Sequence, residues 1–185
     1  MIETLISDVE KALDAEAYMA ALSLVLTLPD ICAKAEYGNS MKNKDRYIKW
    51  YNEYIGKYEK SPRESNDPEL PYLSGEVVYQ LRCMMLHQGT PNIDKSKISE
   101  ESCKIDQFVL AVGKKNQFGI YSDESTLNEG RGKYRTYRVS VRRLCLIICS
   151  TTRGYYKANP EKFDFFEYSI LDWDKAVENL SRDRL

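Results

Sequence analysis

The one histidine of this 185-residue chain, His87, stands five positions after Arg82 in the segment Leu81-Arg82-Cys83-Met84-Met85-Leu86-His87-Gln88-Gly89. A guanidinium can hold two phosphate oxygens at once and stays cationic at any physiological pH. An imidazole is the side chain whose ordinary proton equilibrium lies near neutrality, so it serves as general base or general acid. Beside a ribose phosphate the two groups have the chemistry to cut RNA without a metal. The 2′-hydroxyl attacks the adjacent phosphorus as a base takes its proton, the 5′ oxygen leaves, and a 2′,3′-cyclic phosphate remains. Arginine meets the extra negative charge that the phosphoryl oxygens carry in the transition state.

Position decides whether the pair can act together. Residues 74–88 read as a helix that starts at Ser74, with an apolar face of Val77, Val78, Leu81, Met84 and Met85. Gly89-Thr90-Pro91 stops it, which puts His87 in the last turn. Five residues on an α-helix turn through about 500°, so Arg82 and His87 point about 140° apart. They do not share a face; convergence needs the reach of arginine and a loosened last turn. Efficient acid–base work also calls for two proton handlers, and the chain has one histidine. A symmetric dimer supplies a second His87 and a second Arg82 across its two-fold axis. The same spacing fits a plain helix end, with the histidine stabilised by the dipole and the arginine in a surface ion pair.

The rest of the chain predicts more helices. Ile2, Leu5, Ile6, Val9 and Leu13 mark an amphipathic helix over 2–13. Asp14 is read as the N-cap of the next, which covers 15–36, is apolar almost all round, and is read as central and buried. Pro29 either kinks it or opens its last two turns as a new first turn, and Gly38-Asn39-Ser40 ends it. Residues 43–58 carry an aromatic stripe, Tyr47, Tyr51, Tyr54 and Tyr58, with Trp50 beside it, read as a packing face; base stacking is the alternative. Pro62, Pro68 and Pro71 make 60–72 a loop. Phe108–Val112 reads as a short strand, Lys115–Tyr121 as its partner or a loop, and Tyr134–Val141 as an alternating strand. A helix over 138–158 ends at Asn159-Pro160, and a short one capped by Asp172 covers the stretch to Arg182. The expected fold is therefore all-α, an up-and-down helical bundle, with a small β-hairpin or irregular insertion at about 92–137 in a single domain over 1–185.

Composition bounds the partners. Apolar residues make up 43% of the chain, enough for a sizeable core, and the formal charge is −1, so any polyanion must be held by a local patch. Cys32, Cys83, Cys103, Cys145 and Cys149 are odd in number and form no CxxC. With a single histidine they do not make a zinc site, so no metal and no cofactor is expected, and free thiols suit a reducing cytosol. No basic segment precedes an apolar run at the N-terminus, and the greasiest stretch, Met19–Leu28, is short for a membrane span. The expectation is a cytoplasmic protein without a membrane partner.

The Arg82–His87 segment on a helix before a Gly/Pro break resembles the HEPN superfamily, which is marked by an arginine, four to six residues, then a histidine. The helix ending in Leu26-Thr27-Leu28-Pro29-Asp30-Ile31-Cys32 and the aromatic helix around Tyr47-Ile48-Lys49-Trp50-Tyr51 look like its bacterial stand-alone members. The resemblance covers about 2–158, with its specific part in the Arg–His segment. It implies a helical bundle that pairs through the helices bearing that segment. It further implies metal-independent endoribonuclease activity in toxin–antitoxin, phage-defence or RNA-processing settings, with Arg82 and His87 as the catalytic pair and an antitoxin protein as a partner. This chain departs from the pattern at Cys83, where the family often has Asn, Asp or His, and so lacks a polar helper.

Two further sets complete the candidates. Asp30, Glu36 and Cys83 could support the pair from behind, although a cap or a surface acid explains the two carboxylates equally well. Arg131, Lys133, Arg135, Arg138, Arg142 and Arg143 form the one dense basic stretch, interleaved with Tyr134 and Tyr137. It reads either as a surface that guides RNA or as a solvated strand and helix face. The rival readings of the whole are a non-catalytic HEPN-like module that binds nucleotide or RNA, and a helical interaction protein in which the pair is incidental.

Overall fold

The computed structural model describes residues 1–59, 73–113, 121–126, 133–165 and 171–182. The expected loop at 60–72, most of the expected partner at 115–121, and Arg131 lie outside the described residues. What is described is mainly helical, with a small sheet. The helices are α1 (Ile2–Asp14), α2 (Tyr18–Val25), α3 (Leu28–Tyr37), α4 (Asn43–Tyr51), α5 (Lys57–Glu59), α6 (Gly75–Gln88), α7 (Val141–Ala158) and α8 (Trp173–Arg182). The strands are β1 (Gln107–Ala111), β2 (Tyr121–Thr126) and β3 (Lys133–Ser140), in the order β1-β3-β2.

Helix α1 forms for the reason its spacing gave: Ile2, Ile6, Val9 and Leu13 are all buried. Burying each such side chain contributes roughly 1.5–3 kcal/mol. Asp14 is a correction, because it ends α1 rather than capping α2, whose N-cap position is Ala17. The long apolar segment divides at Leu26–Thr27, where Thr27 Oγ1 donates to the Leu24 carbonyl at 2.7 Å. Pro29 then sits in the first turn of α3, where its missing N–H costs nothing. By length and composition the Tyr18–Tyr37 segment could cross a membrane. Part of its apolarity is buried in the core: Leu22, Val25, Leu26, Leu28, Cys32 and Ala33 are buried.

Helix α7 lies against α1, α2 and α3, and α4 lies between α3 and α6. Over α4 the aromatic stripe is a packing face: Tyr47, Trp50 and Tyr51 are fully buried, and Trp50 meets Tyr155 of α7 edge-on at 5.6 Å, whereas Tyr58 in α5 is 74% exposed and does not pack. After Tyr51 the backbone widens into a π-helical turn, Asn52–Gly56, before α5. That turn sends the Asn52 side chain across to α6, where its Oδ1 accepts the Gly75 N–H at 2.7 Å.

The β region contains the antiparallel pairing expected of a hairpin and adds a parallel strand to it. β3 pairs antiparallel with β2 and parallel with β1, and Ser140, its last residue, caps α7 by accepting the Arg143 N–H. The helix therefore begins at Val141, and residues 138–140 are strand. Tyr137 and Val139 on β3, with Ile98, Cys103 and Ile105 before β1, belong to the main core. Both β1 and β3 fall where the sequence pattern expects strands, but the pattern does not foresee their parallel pairing, because β-branched and aromatic residues signal a strand locally and do not say which strand it pairs with.

Gly75 sets how closely α6 approaches α4. A Cβ built there would stand 2.6 Å from the Ile48 carbonyl oxygen, which is backbone and cannot swing aside. Gly75→Ala is expected to cost about 1–3 kcal/mol, as overpacking does, measured by urea denaturation. A cost under about 0.5 kcal/mol, the range of an ordinary surface change, would show that α6 is not held by this contact.

Candidate functional site

Helix α6 carries the candidate pair, and its ends are well defined. Ser74 accepts the Val77 N–H at its start, and Gly89, in the left-handed region at φ 65°, closes its end. Val77, Val78, Leu81 and Met85 are buried, which fixes the rotation of the helix about its axis. That rotation directs Arg82 toward α3 and leaves His87 exposed in the last turn. The angular separation read from spacing is thus realised in the fold.

Arg82 Nη2 lies 2.7 Å from Asp30 Oδ2, and the two side chains are only 18% and 16% exposed. Asp30 comes from the first turn of α3, where a carboxylate also complements the helix dipole. The guanidinium carbon stands 5.9 Å from the centre of the Tyr79 ring, which Tyr47 meets edge-on at 5.3 Å. Burial pushes the Asp30 carboxyl above its ordinary range, while Arg82, Asn43 and Arg46 oppose that shift. Burial works against the charge on Arg82 too, but Asp30 and Cys83 outweigh it and the guanidinium is held more firmly protonated than usual. The pair is a charged clasp between α3 and α6.

His87 makes no hydrogen bond or ion pair with any described residue. Leu86 beside it is 38% exposed. Cys83 is half-buried against Arg82 and Tyr79. Glu36 does not join the pair. Its Oε2 accepts from Lys162 Nζ at 2.6 Å and from the Tyr155 hydroxyl, so it ties α3 to the segment after α7. These two donors hold the Glu36 carboxyl below its usual range. Among the described residues no three His, Cys, Asp or Glu side chains gather as metal ligands would.

Among the described residues the basic stretch does not make one surface. Successive residues of a strand face opposite ways, so Arg135 and Arg138, three apart on β3, lie on opposite faces of the sheet. Arg135 donates to the Glu101 carbonyl at 2.6 Å and lines a groove of about 520 Å³ with Lys95, Glu101, Lys104 and Asp106. Arg142 turns the other way and closes the C-terminal end of α1: its Nη2 donates to the Leu13 carbonyl at 2.7 Å, and Asp14 stands 4.0 Å off. Arg143 is exposed on α7, and Lys133 opens β3. Sequence spacing missed Tyr79, Asn43 and Arg46 around Asp30. The approach of α3, α4 and α6 creates that grouping, and no local pattern signals it.

Two outcomes test this geometry. Asp30→Ala strands a half-buried guanidinium, so urea denaturation is expected to show a loss of about 2–3 kcal/mol, somewhat below the range for a fully buried pair. Arg142→Ala is expected to lower stability by about 1–2 kcal/mol through the lost cap and to leave RNA affinity unchanged. Weaker RNA binding at unchanged stability would return Arg142 to the guiding surface.

Set beside protein-family models, curated proteins and solved structures, the chain matches none of them, so the site itself carries the reading of function.

Proposed function

We propose that the chain is a HEPN-like, metal-independent endoribonuclease whose active site is composite across a homodimer. Its helices then form the up-and-down bundle of that superfamily. The observation that supports this reading is the state of the two side chains on α6. Arg82 is pinned by Asp30 in a half-buried position, and His87, a little over one turn further on, is open to solvent and committed to nothing among the described residues.

The roles follow from the chemistry. Asp30 fixes the guanidinium in place, so little side-chain entropy remains to be lost when a phosphate binds. Arg82 neutralises the phosphoryl oxygens as charge builds on them. His87 takes the 2′-hydroxyl proton, and the partner copy's histidine returns one to the leaving 5′ oxygen. Within one chain the two side chains diverge, which is why the reading requires a second copy. RNA is the substrate, the cytoplasm is the setting, and an antitoxin protein is the natural regulator of such an activity.

The experiment is cleavage of RNA by the purified chain in excess EDTA, with the product ends identified. The expected products carry a 2′,3′-cyclic phosphate and a 5′-hydroxyl, and His87→Ala is expected to slow cleavage at least ~100-fold, the low end for losing a general acid–base group. Cutting that survives in His87→Ala overturns the mechanism. A second reading, RNA binding without cleavage, is favoured by Cys83 in place of a polar helper; in that case affinity is retained and no product forms.

A further inference from the structure

An RNA-binding chain of negative net charge needs a local cationic patch, and among the described residues the stretch 131–143 does not supply one. The start of α4 does. Lys42-Asn43-Lys44-Asp45-Arg46 holds three cations to one carboxylate in consecutive residues. Lys42 is exposed and Lys44 half-buried, and neither makes an ion pair or a side-chain hydrogen bond with a described residue. Arg46, half-buried, donates from Nη1 to the Gly38 carbonyl at 2.9 Å, which ties it to the turn between α3 and α4.

This placement runs against helix stability. The first turn of a helix favours anions and disfavours cations, because its unpaired N–H groups carry partial positive charge. The N-cap position favours a short polar side chain, yet Lys42 holds it and makes no side-chain cap bond. Local rules broken together, with Lys42 exposed and gaining nothing from packing, point to residues set by function.

The neighbours supply that function. Asn43, between the two lysines, stands beside the Asp30 carboxylate, and Arg46 is near enough for its charge to act on the same group. Asp30 in turn holds Arg82 at 2.7 Å. The α4 start therefore adjoins the guanidinium that the proposed chemistry directs at a phosphate. Four cations, Lys42, Lys44, Arg46 and Arg82, stand there against two carboxylates, Asp30 and Asp45.

We propose that Lys42 and Lys44 hold backbone phosphates of a single-stranded RNA, on one side of the phosphate at Arg82, so that the start of α4 is the surface along which the strand enters. This rests on the reading of Arg82 as a phosphate-binding group and concerns affinity, not bond cleavage. Continuity with Arg82, whose fork matches phosphate oxygens, favours a nucleic-acid strand over an acidic protein. Lysine is a mobile point charge, so these contacts position the strand without reading its bases.

The test measures binding of a labelled 2′-O-methyl RNA, which has no free 2′-hydroxyl and is not cut, to the full chain over a range of salt. Lys42→Gln combined with Lys44→Gln is expected to lower the slope of log affinity against log salt by about 1.4, at roughly 0.7 for each phosphate contact on a single strand. The urea midpoint should hold or rise, since two cations leave a helix start. Lys11→Gln combined with Lys157→Gln removes the same charge from exposed positions on α1 and α7 and is expected to leave the slope unchanged. A slope unaltered by the α4 pair, or lowered as much by the other pair, overturns the proposal. So does displacement of the strand by poly-glutamate as readily as by unlabelled RNA, which makes an acidic protein the occupant. His87→Ala is expected to keep the full slope. Binding carried by Lys42 and Lys44 without any cleavage of ordinary RNA therefore sinks the ribonuclease chemistry and supports this surface.

Discussion

One ion pair governs this structure's functional prospects: the contact of Arg82 with Asp30, which joins the middle of α6 to the first turn of α3 at 2.7 Å. Both groups are largely withdrawn from water, so removing either one leaves the other unpaired at a cost in stability. Desolvation alone would favour a neutral Asp30, and the neighbouring Arg82, Asn43 and Arg46 resist this. The pair gives the guanidinium a fixed place on a helix whose rotation is set by buried Val77, Val78, Leu81 and Met85, and the exposure of His87 follows from that rotation.

Much of the remaining architecture serves to hold those two helices. Pro29 and the Leu26–Thr27 break give α3 its own start and so place Asp30 in a first turn. The π-helical turn after α4 carries Asn52 to the α6 N-terminus, where it satisfies a donor the helix itself cannot pair. Glu36, one turn and a half beyond Asp30, anchors the other end of α3 through Lys162 and Tyr155. With a net charge of −1, no general positive field would draw a polyanion to the chain, so the proposed function depends on such local placement.

The legible parts were those with a local cause. The α1 stripe, the Ser74 and Gly89 limits of α6, the Asp172 cap and the aromatic face of α4 all follow from spacing or from single residues with strong conformational demands. The 140° divergence of Arg82 and His87 also followed from helical geometry alone. What escaped was set by contacts distant in sequence. Asp14 resembles an N-cap by composition, but Arg142, 129 positions away from the Leu13 carbonyl it binds, helps define that corner as a helix end. Arg135, Arg138, Arg142 and Arg143 look like one patch along the chain, yet strand alternation and the turn into α7 scatter them. The parallel pairing of β1 with β3 was invisible for the same reason: it brings Gln107 beside Thr136 with no hairpin between them. Asp30 was a candidate among several acids, and only packing distinguished it from Glu36.

Because the chain has one histidine, its imidazole Cε1–H gives a single assignable proton resonance, and that resonance tests the central claim most directly. If the proposed composite site forms, Arg82 of one copy and His87 of its partner face one phosphate. Titration with a short 2′-deoxy oligonucleotide, which binds but lacks the attacking hydroxyl, should then displace the His87 resonance saturably, and Arg82→Gln should abolish the displacement while the fold persists. A resonance that stays fixed at saturating oligonucleotide, or that moves equally in Arg82→Gln, would contradict it.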